Sequence, residues 1–183
     1  MINMAYRTKT YISADWDHDF NAVNQLHNWN DSNYWSLSFS DAHELTQSRD
    51  SSLNCSIKES LKKRMVASKL FVLIVGNQTT SVKSGGCQLC ASYNSHSRYC
   101  ARYHSVDYRS YIMYECEEAL KAYQMGLMKI IVLYNSCRIN KSKCPELLRD
   151  IGIHMQMGKI SSDGECYYDY ATVKSAFDES ERY

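Results

Sequence analysis

The sequence predicts an α/β fold: a doubly wound parallel sheet of about five strands with flanking helices and one Cys/His-rich insertion. Three observations carry this. The stretches KLFVLIVG and MKIIVLYN hold continuous apolar runs, the mark of strands covered on both faces. Between them, Ile112, Cys116, Ala119, Tyr123 and Leu127 form an apolar stripe at helical spacing. Strand-like and helix-like segments alternate along the chain, which implies right-handed crossovers and parallel pairing.

Composition sets the bounds. A chain of 183 residues suits a single domain over 1–183 and is short for two. Hydrophobic residues at 44% and charged residues at 22% are ordinary for a globular domain. The formal net charge of +1 offers no field to recruit nucleic acid or an anionic membrane. The opening MINMAYRTKTYISADW has no apolar h-region, and the longest apolar runs are far too short to span a bilayer. A cytoplasmic location is therefore expected, with clustered cysteines suggesting metal and scattered ones buried thiols.

The elements follow in order. KTYIS, Lys9 to Ser13, reads as a strand running into the acidic loop ADWDHD. Phe20 to Trp29 reads as a helix with Phe20, Val23, Leu26 and His27 on one face. WSLSFSD, ending at Asp41, alternates as a second strand. In SIKESLKKRMVAS, Ser56 and Glu59 fit a capping box, and Ile57, Leu61 and Met65 fit a helical stripe. The two apolar runs and the helix Tyr111 to Gly126 come next, with Gly126 near the C-cap. A short ELLRDIG helix, an edge strand near MQMGKI and a final helix from about Tyr170 complete the chain.

Sites in such sheets lie outside the carboxyl ends of the strands, here the loops after Ser13, Asp41, Gly76 and Asn135. No GxGxxG follows the first strand and no GxxxxGK[ST] occurs, which excludes the dinucleotide fingerprint and the P-loop. The third strand ends in IVGNQ without an aspartate, which speaks against a phospho-acceptor domain. Asp15, Asp17 and Asp19 would repel a pyrophosphate but can accept from ribose hydroxyls or hold a cation; helix capping explains them equally well. Glu115 lies one turn into its helix, beside the apolar stripe, sharing a flank with Tyr111 and Glu118. Spacing alone fits both a functional carboxylate and a surface residue that complements the helix dipole.

Taken together, the motifs YISADWDHD, FSDAHE, SIKESLKKRMVASKLFVLIVGNQT, YIMYECEEALKAYQMGLMKIIVLYN and IGIHMQMGKISSDG resemble the bacterial TIR-like proteins of the Thoeris anti-phage defence system. The resemblance covers about four-fifths of the chain. It implies a flavodoxin-like, TIR-like sheet and an enzyme that cleaves the nicotinamide–ribose bond of NAD, the substrate. The ADP-ribose-derived product, cyclic or conjugated, would be a diffusible nucleotide signal for a separate effector protein, with a phage-derived trigger. Homo-oligomerisation is left open. The family's glutamate maps onto Glu115, and its substrate-binding positions map onto Ser13, Asp15 and Asp41. Tyr111, Tyr114, Trp16 and Trp35 are aromatic candidates for stacking on a base or nicotinamide ring. A carboxylate suits the chemistry, because leaving nicotinamide builds oxocarbenium character on the ribose. Replacing Glu115 is expected to leave folding almost untouched.

The departure from the family pattern is an insertion at 81–109. Its Cys87, Cys90, Cys100 and His104 have Cys-x2-Cys-x9-Cys-x3-His spacing, a set able to close a structural zinc site, with His96 as a rival ligand. Such an ion would order a hydrophobe-poor segment as a clasp beside the centre. Two other classes remain. Nucleoside 2-deoxyribosyltransferases share the sheet and use a covalent carboxylate, whereas a non-enzymatic TIR adaptor would work by self-assembly. Arg98, Arg102 and Arg109 alternate with Tyr93, Tyr99 and Tyr103, but the neutral charge argues against nucleic acid as a partner.

Overall fold

The computed structural model describes residues 8–32, 34–42 and 53–182. Strand β1 (Thr8–Ser13) leads to helix α1 (Phe20–Asp31), β2 (Phe39–Asp41), α2 (Asn54–Val66) and β3 (Leu70–Val75). A long segment carrying the small hairpin β4 (Tyr93–Asn94) and β5 (Tyr99–Cys100) then precedes α3 (Tyr111–Gln124). After it come β6 (Lys129–Tyr134), β7 (Ile153–Gln156), the hairpin β8 (Gly158–Ile160) and β9 (Cys166–Tyr168), and α4 (Tyr170–Arg182).

The main sheet has the order β2-β1-β3-β6-β7, and every pair in it is parallel. Counted along the chain its five strands run 2-1-3-4-5, the flavodoxin-like order expected from the sequence. Every side chain of β3 is buried, as is every one of β6 after Lys129, so both faces need cover. Helices α1 and α4 pack Leu26, Val173 and Phe177 on Ile12, Val72 and Ile131 of one face. Helices α2 and α3 pack Leu61, Met65, Ile112 and Cys116 on Tyr11, Phe71 and Val132 of the other.

Several local expectations change. The capping box at Ser56 and Glu59 does not form: the helix begins at Asn54, with Leu53 as cap and no side-chain cap bond. Tertiary contacts decide this start, because the Asn54 side chain donates to the Gly86 carbonyl (3.0 Å) and accepts from the Tyr111 hydroxyl (3.1 Å). Strand pairing in WSLSFSD is confined to Phe39–Asp41. The α3 stripe is buried only through Ala119; Tyr123 and Leu127 are exposed because the helix runs past the sheet before Gly126 ends it. Phe20 is likewise exposed. ELLRDIG contributes a single 3-10 turn, Glu146–Leu148, and MQMGKI is divided between sheet strand β7 and hairpin strand β8. His43 and Glu44 of FSDAHE lie outside the described residues.

The cysteines divide as well. Cys116 and Cys144 are buried thiols, but Cys137 and Cys166 form a disulfide that ties the loop after β6 to β9. Their distance in sequence, 29 residues, hid a pairing that the β8–β9 hairpin creates. Among the described residues no helix is long and apolar enough to cross a membrane.

Gly152 shows how tightly β7 is fitted to β6. Its φ is +82°, and a Cβ there would lie 2.4 Å from the Ile130 carbonyl oxygen. Gly164 has a similar φ of +84° with open space around it. Gly164→Ala should therefore cost roughly 1–2 kcal/mol through backbone strain alone, and Gly152→Ala distinctly more. Denaturant unfolding of both variants checks this, and equal losses would refute the close-packing argument.

Candidate active site

Helix α3 is started by Ser110, whose Oγ accepts from the Met113 backbone N–H at 3.2 Å. That fixes the helical phase, and Glu115 then stands between Ile112 at i−3 and Ala119 at i+4, within the buried stripe rather than beside it. Its residue exposure is only 4%. The carboxyl faces β1, where Tyr11 and Ser13, two apart, point to the same side of the sheet. The Tyr11 hydroxyl donates to Oε1 at 2.6 Å, and the Ser13 hydroxyl donates to Oε2.

Burial pushes the Glu115 carboxyl up to about 7, although the hydrogen bonds from Ser13 and Tyr11 pull it back down. Burial, and then the neighbouring Glu115, hold the Tyr11 hydroxyl well above its ordinary value, so it stays a proton donor to the carboxylate. Tyr11 was not among the expected site residues. The alternation Tyr11–Ile12–Ser13 was the signal that pairs it with Ser13.

This cluster lies at the end of β1 that borders β3, where chain connections leave in opposite directions. Open α/β sheets bind ligands at such a switch point. Tyr111, one turn before Glu115, is half-buried and bonded to Asn54. The Tyr114 ring lies 5.0 Å from the Arg109 guanidinium and 5.6 Å from the Lys58 ammonium, so two cations already occupy its faces or rim. Burial acts to raise the Asp107 carboxyl, but hydrogen bonds from Arg109 and Lys58 outweigh it and hold the acid well below its usual range.

The acidic loop belongs to the same edge but a different network. Asp15 is buried and accepts from the Asp17 backbone N–H, with His18 Nδ1 at 2.7 Å from its other oxygen. Asp17 and Trp16 are exposed. Asp19 precedes α1 without making a side-chain cap bond, so capping does not explain it. It is buried against Gly76, where a Cβ would lie 2.1 Å from its Oδ1; that oxygen accepts from Asn135 at 2.7 Å, while Oδ2 has no hydrogen-bond partner. Asp41 is not brought to Glu115: it pairs with His27 of α1 at 3.0 Å, on the opposite face of the sheet. Trp35 is taken up by Tyr34 and Tyr170, at ring separations of 4.8 and 4.5 Å. Glu118 turns outward to Lys62 of α2 (3.0 Å) and Lys121 (2.9 Å).

In the segment before α3, Cys87, Cys90, Cys100 and His104 line one small cavity together with Cys55 of α2, a residue the spacing argument did not include. His96 is exposed, in a turn closed by Asn94. A separate cleft of about 520 Å³ opens at the amino edge of the sheet between Lys69, Leu127 and Lys129, the end opposite Glu115. Parallel sheets bind ligands at their carboxyl edges, so the Glu115 cluster remains the candidate.

Residues 11–84 match the family described as Thoeris protein ThsB, TIR-like domain. Over that stretch the chain is similar to a Thoeris TIR-like domain, in agreement with the resemblance its motifs carry. The match contains Tyr11, Ser13 and Asp15 and stops before Glu115. No curated protein matches the chain.

Burial makes Glu115 a pH-dependent element of stability. With its pKa near 7 when folded against 4.5 ordinarily, the folded state binds the extra proton. The resulting stabilisation is full below about pH 4.5 and is lost as pH rises through about 7, to a total on the order of 3 kcal/mol. This corrects the expectation that Glu115 is indifferent to folding. Denaturant unfolding of wild type and Glu115→Gln should show the wild-type advantage shrinking between pH 4.5 and 8. Tyr11→Phe, which removes one donor, should move that midpoint upward. A stability difference independent of pH would mean that the carboxyl titrates normally.

Proposed function

We propose, from the similarity of residues 11–84 to a Thoeris TIR-like domain, that the chain cleaves NAD at the nicotinamide–ribose bond and releases an ADP-ribose-derived signal that activates a separate effector in anti-phage defence. The observation that carries this is Glu115, a buried carboxyl with a raised pKa at the carboxyl edge of a parallel sheet, oriented by two hydroxyls. Above neutral pH it is ionised. An ionised carboxylate offsets the positive charge that develops on the ribose as nicotinamide leaves, and nicotinamide departs neutral without needing a general acid. Tyr11 and Ser13 fix where the charge sits.

At 4% exposure Glu115 is closed off, so a substrate reaches it only when the surrounding edge opens. A trigger that opens the edge would keep NAD intact until infection. The same burial favours a second reading, in which Glu115 is an internal lock between α3 and β1 of a non-enzymatic assembly module.

NAD consumption separates the two, measured by mass spectrometry on purified protein and on lysates of phage-infected cells. Glu115→Gln should lower turnover about 100- to 1000-fold, while Glu118→Gln should lower it far less. The rate should also rise from pH 6 to 8, following ionisation of the carboxyl. Absence of NAD loss under both conditions, or equal losses at Glu115 and Glu118, would reject the enzymatic reading.

A further inference from the structure

Between Cys87 and Arg109 the only buried side chains are two thiols, Cys87 and Cys100. Most large apolar side chains of the same segment face outward: Leu89, Tyr99, Tyr103 and Tyr108 are exposed, and only Tyr93, half-buried, turns to the cavity that the thiols line. This inverts the usual arrangement, so the hydrophobic effect does not hold the segment together. Its backbone nevertheless follows a defined path. A 3-10 turn spans Cys87–Leu89, the Cys90 N–H bonds the Cys87 carbonyl, and β4 pairs with β5 so that Tyr93 lies opposite Cys100. Cys87 and Asp107 are joined twice, by Cys87 N–H to the Asp107 carbonyl at 2.8 Å and by Asp107 N–H to the Cys87 sulfur at 3.2 Å.

The side chains converge on a cavity of about 10 Å³, room for one small sphere. Its lining includes Cys87, Cys90 and Cys100 from the segment and Cys55 from the first turn of α2. Cys55 Sγ lies 2.9 Å from His104 Nδ1, so these two donors already engage each other. Among the described residues no three or more His, Cys, Asp or Glu side chains are set to hold a metal ion as they stand. An ion would have to draw the sulfurs inward.

We propose that Cys55, Cys87, Cys90 and Cys100 hold one zinc ion, and that His104 stays outside the ligand set, donating its ring N–H to the Cys55 sulfur. Four thiolates in a tetrahedral set suit zinc, and a histidine bonded to a ligand sulfur orients that ligand. This differs from the set that spacing suggests, because the fourth ligand comes from α2 and not from the segment itself. The ion then acts as a cross-link. It fastens the segment to the helix whose Asn54 also holds Gly86 and Tyr111, at the start of α3.

Elemental analysis of protein purified without chelator should give about one zinc per chain. Substitution with cobalt should give an intense sulfur-to-metal charge-transfer band of four-thiolate strength. Cys55→Ser should lower that band to three-thiolate strength and abolish stoichiometric zinc. His104→Ala should keep the full band while weakening zinc affinity about 10- to 100-fold. Far-UV circular dichroism of each variant confirms that the sheet is intact. A band reduced by His104→Ala but not by Cys55→Ser would overturn Cys55 as ligand. Iron in place of zinc would overturn the choice of metal, and metal-free protein with reactive or disulfide-paired cysteines would overturn the site.

Discussion

β3 and β6 have no polar face, and from that constraint the rest of the architecture follows. A strand buried on both sides must be covered on both sides, so the helices divide into two layers, α1 with α4 and α2 with α3. Placing α3 on the Tyr11–Ser13 face of β1 puts Glu115 where water cannot solvate it. Burying a carboxyl is costly unless it is hydrogen-bonded or neutral, and the protein uses part of both solutions. Two hydroxyls satisfy its oxygens, and the proton is retained to about pH 7. Sheet packing and the chemistry of the candidate site are thus one problem.

The strand order 2-1-3-4-5 brings a second consequence. The connections diverge between β1 and β3, leaving the carboxyl ends of β1, β3 and β6 to converge on one edge. Glu115 is reached on the α3 side of that edge. On the α1 side lies Asp19, held by Asn135, which in turn accepts from the Tyr168 hydroxyl at 2.8 Å. Burial raises the Asp19 carboxyl as well. The edge therefore carries two buried acids on opposite sides of the sheet, one anchored by β1 and the other by the loop after β6.

The segment between β3 and α3 and the β8–β9 hairpin are peripheral to the sheet, and each carries cysteines at this edge. The hairpin is joined by the Cys137–Cys166 disulfide to the loop that bears Asn135. The segment gathers its thiols against α2. Neither has an apolar core of its own, and small units without one depend on disulfides, metals or contacts with their neighbours.

The sequence by itself determined the sheet. Short continuous apolar runs rich in Val and Ile fit doubly covered strands, and the Ile112–Cys116–Ala119 spacing fits a helix that covers them. Ser13 and Glu115 were legible from their motifs, with Glu115 at one helical turn from the start of α3. Tertiary structure decided everything that depends on which residues meet across the chain. Tyr11 reaches Glu115 only because β1 lies under α3, 104 residues apart. Asp41 turns to His27 because edge strand β2 presents it to α1. The start of α2 is set by Asn54 bridging to Gly86 and Tyr111, not by the local Ser56–Glu59 pattern. Cys55 joins Cys87, Cys90 and Cys100 for the same reason. Local periodicity records which face of an element is buried, whereas hydrogen-bond and thiol partners are chosen by the packing of elements that no spacing rule connects.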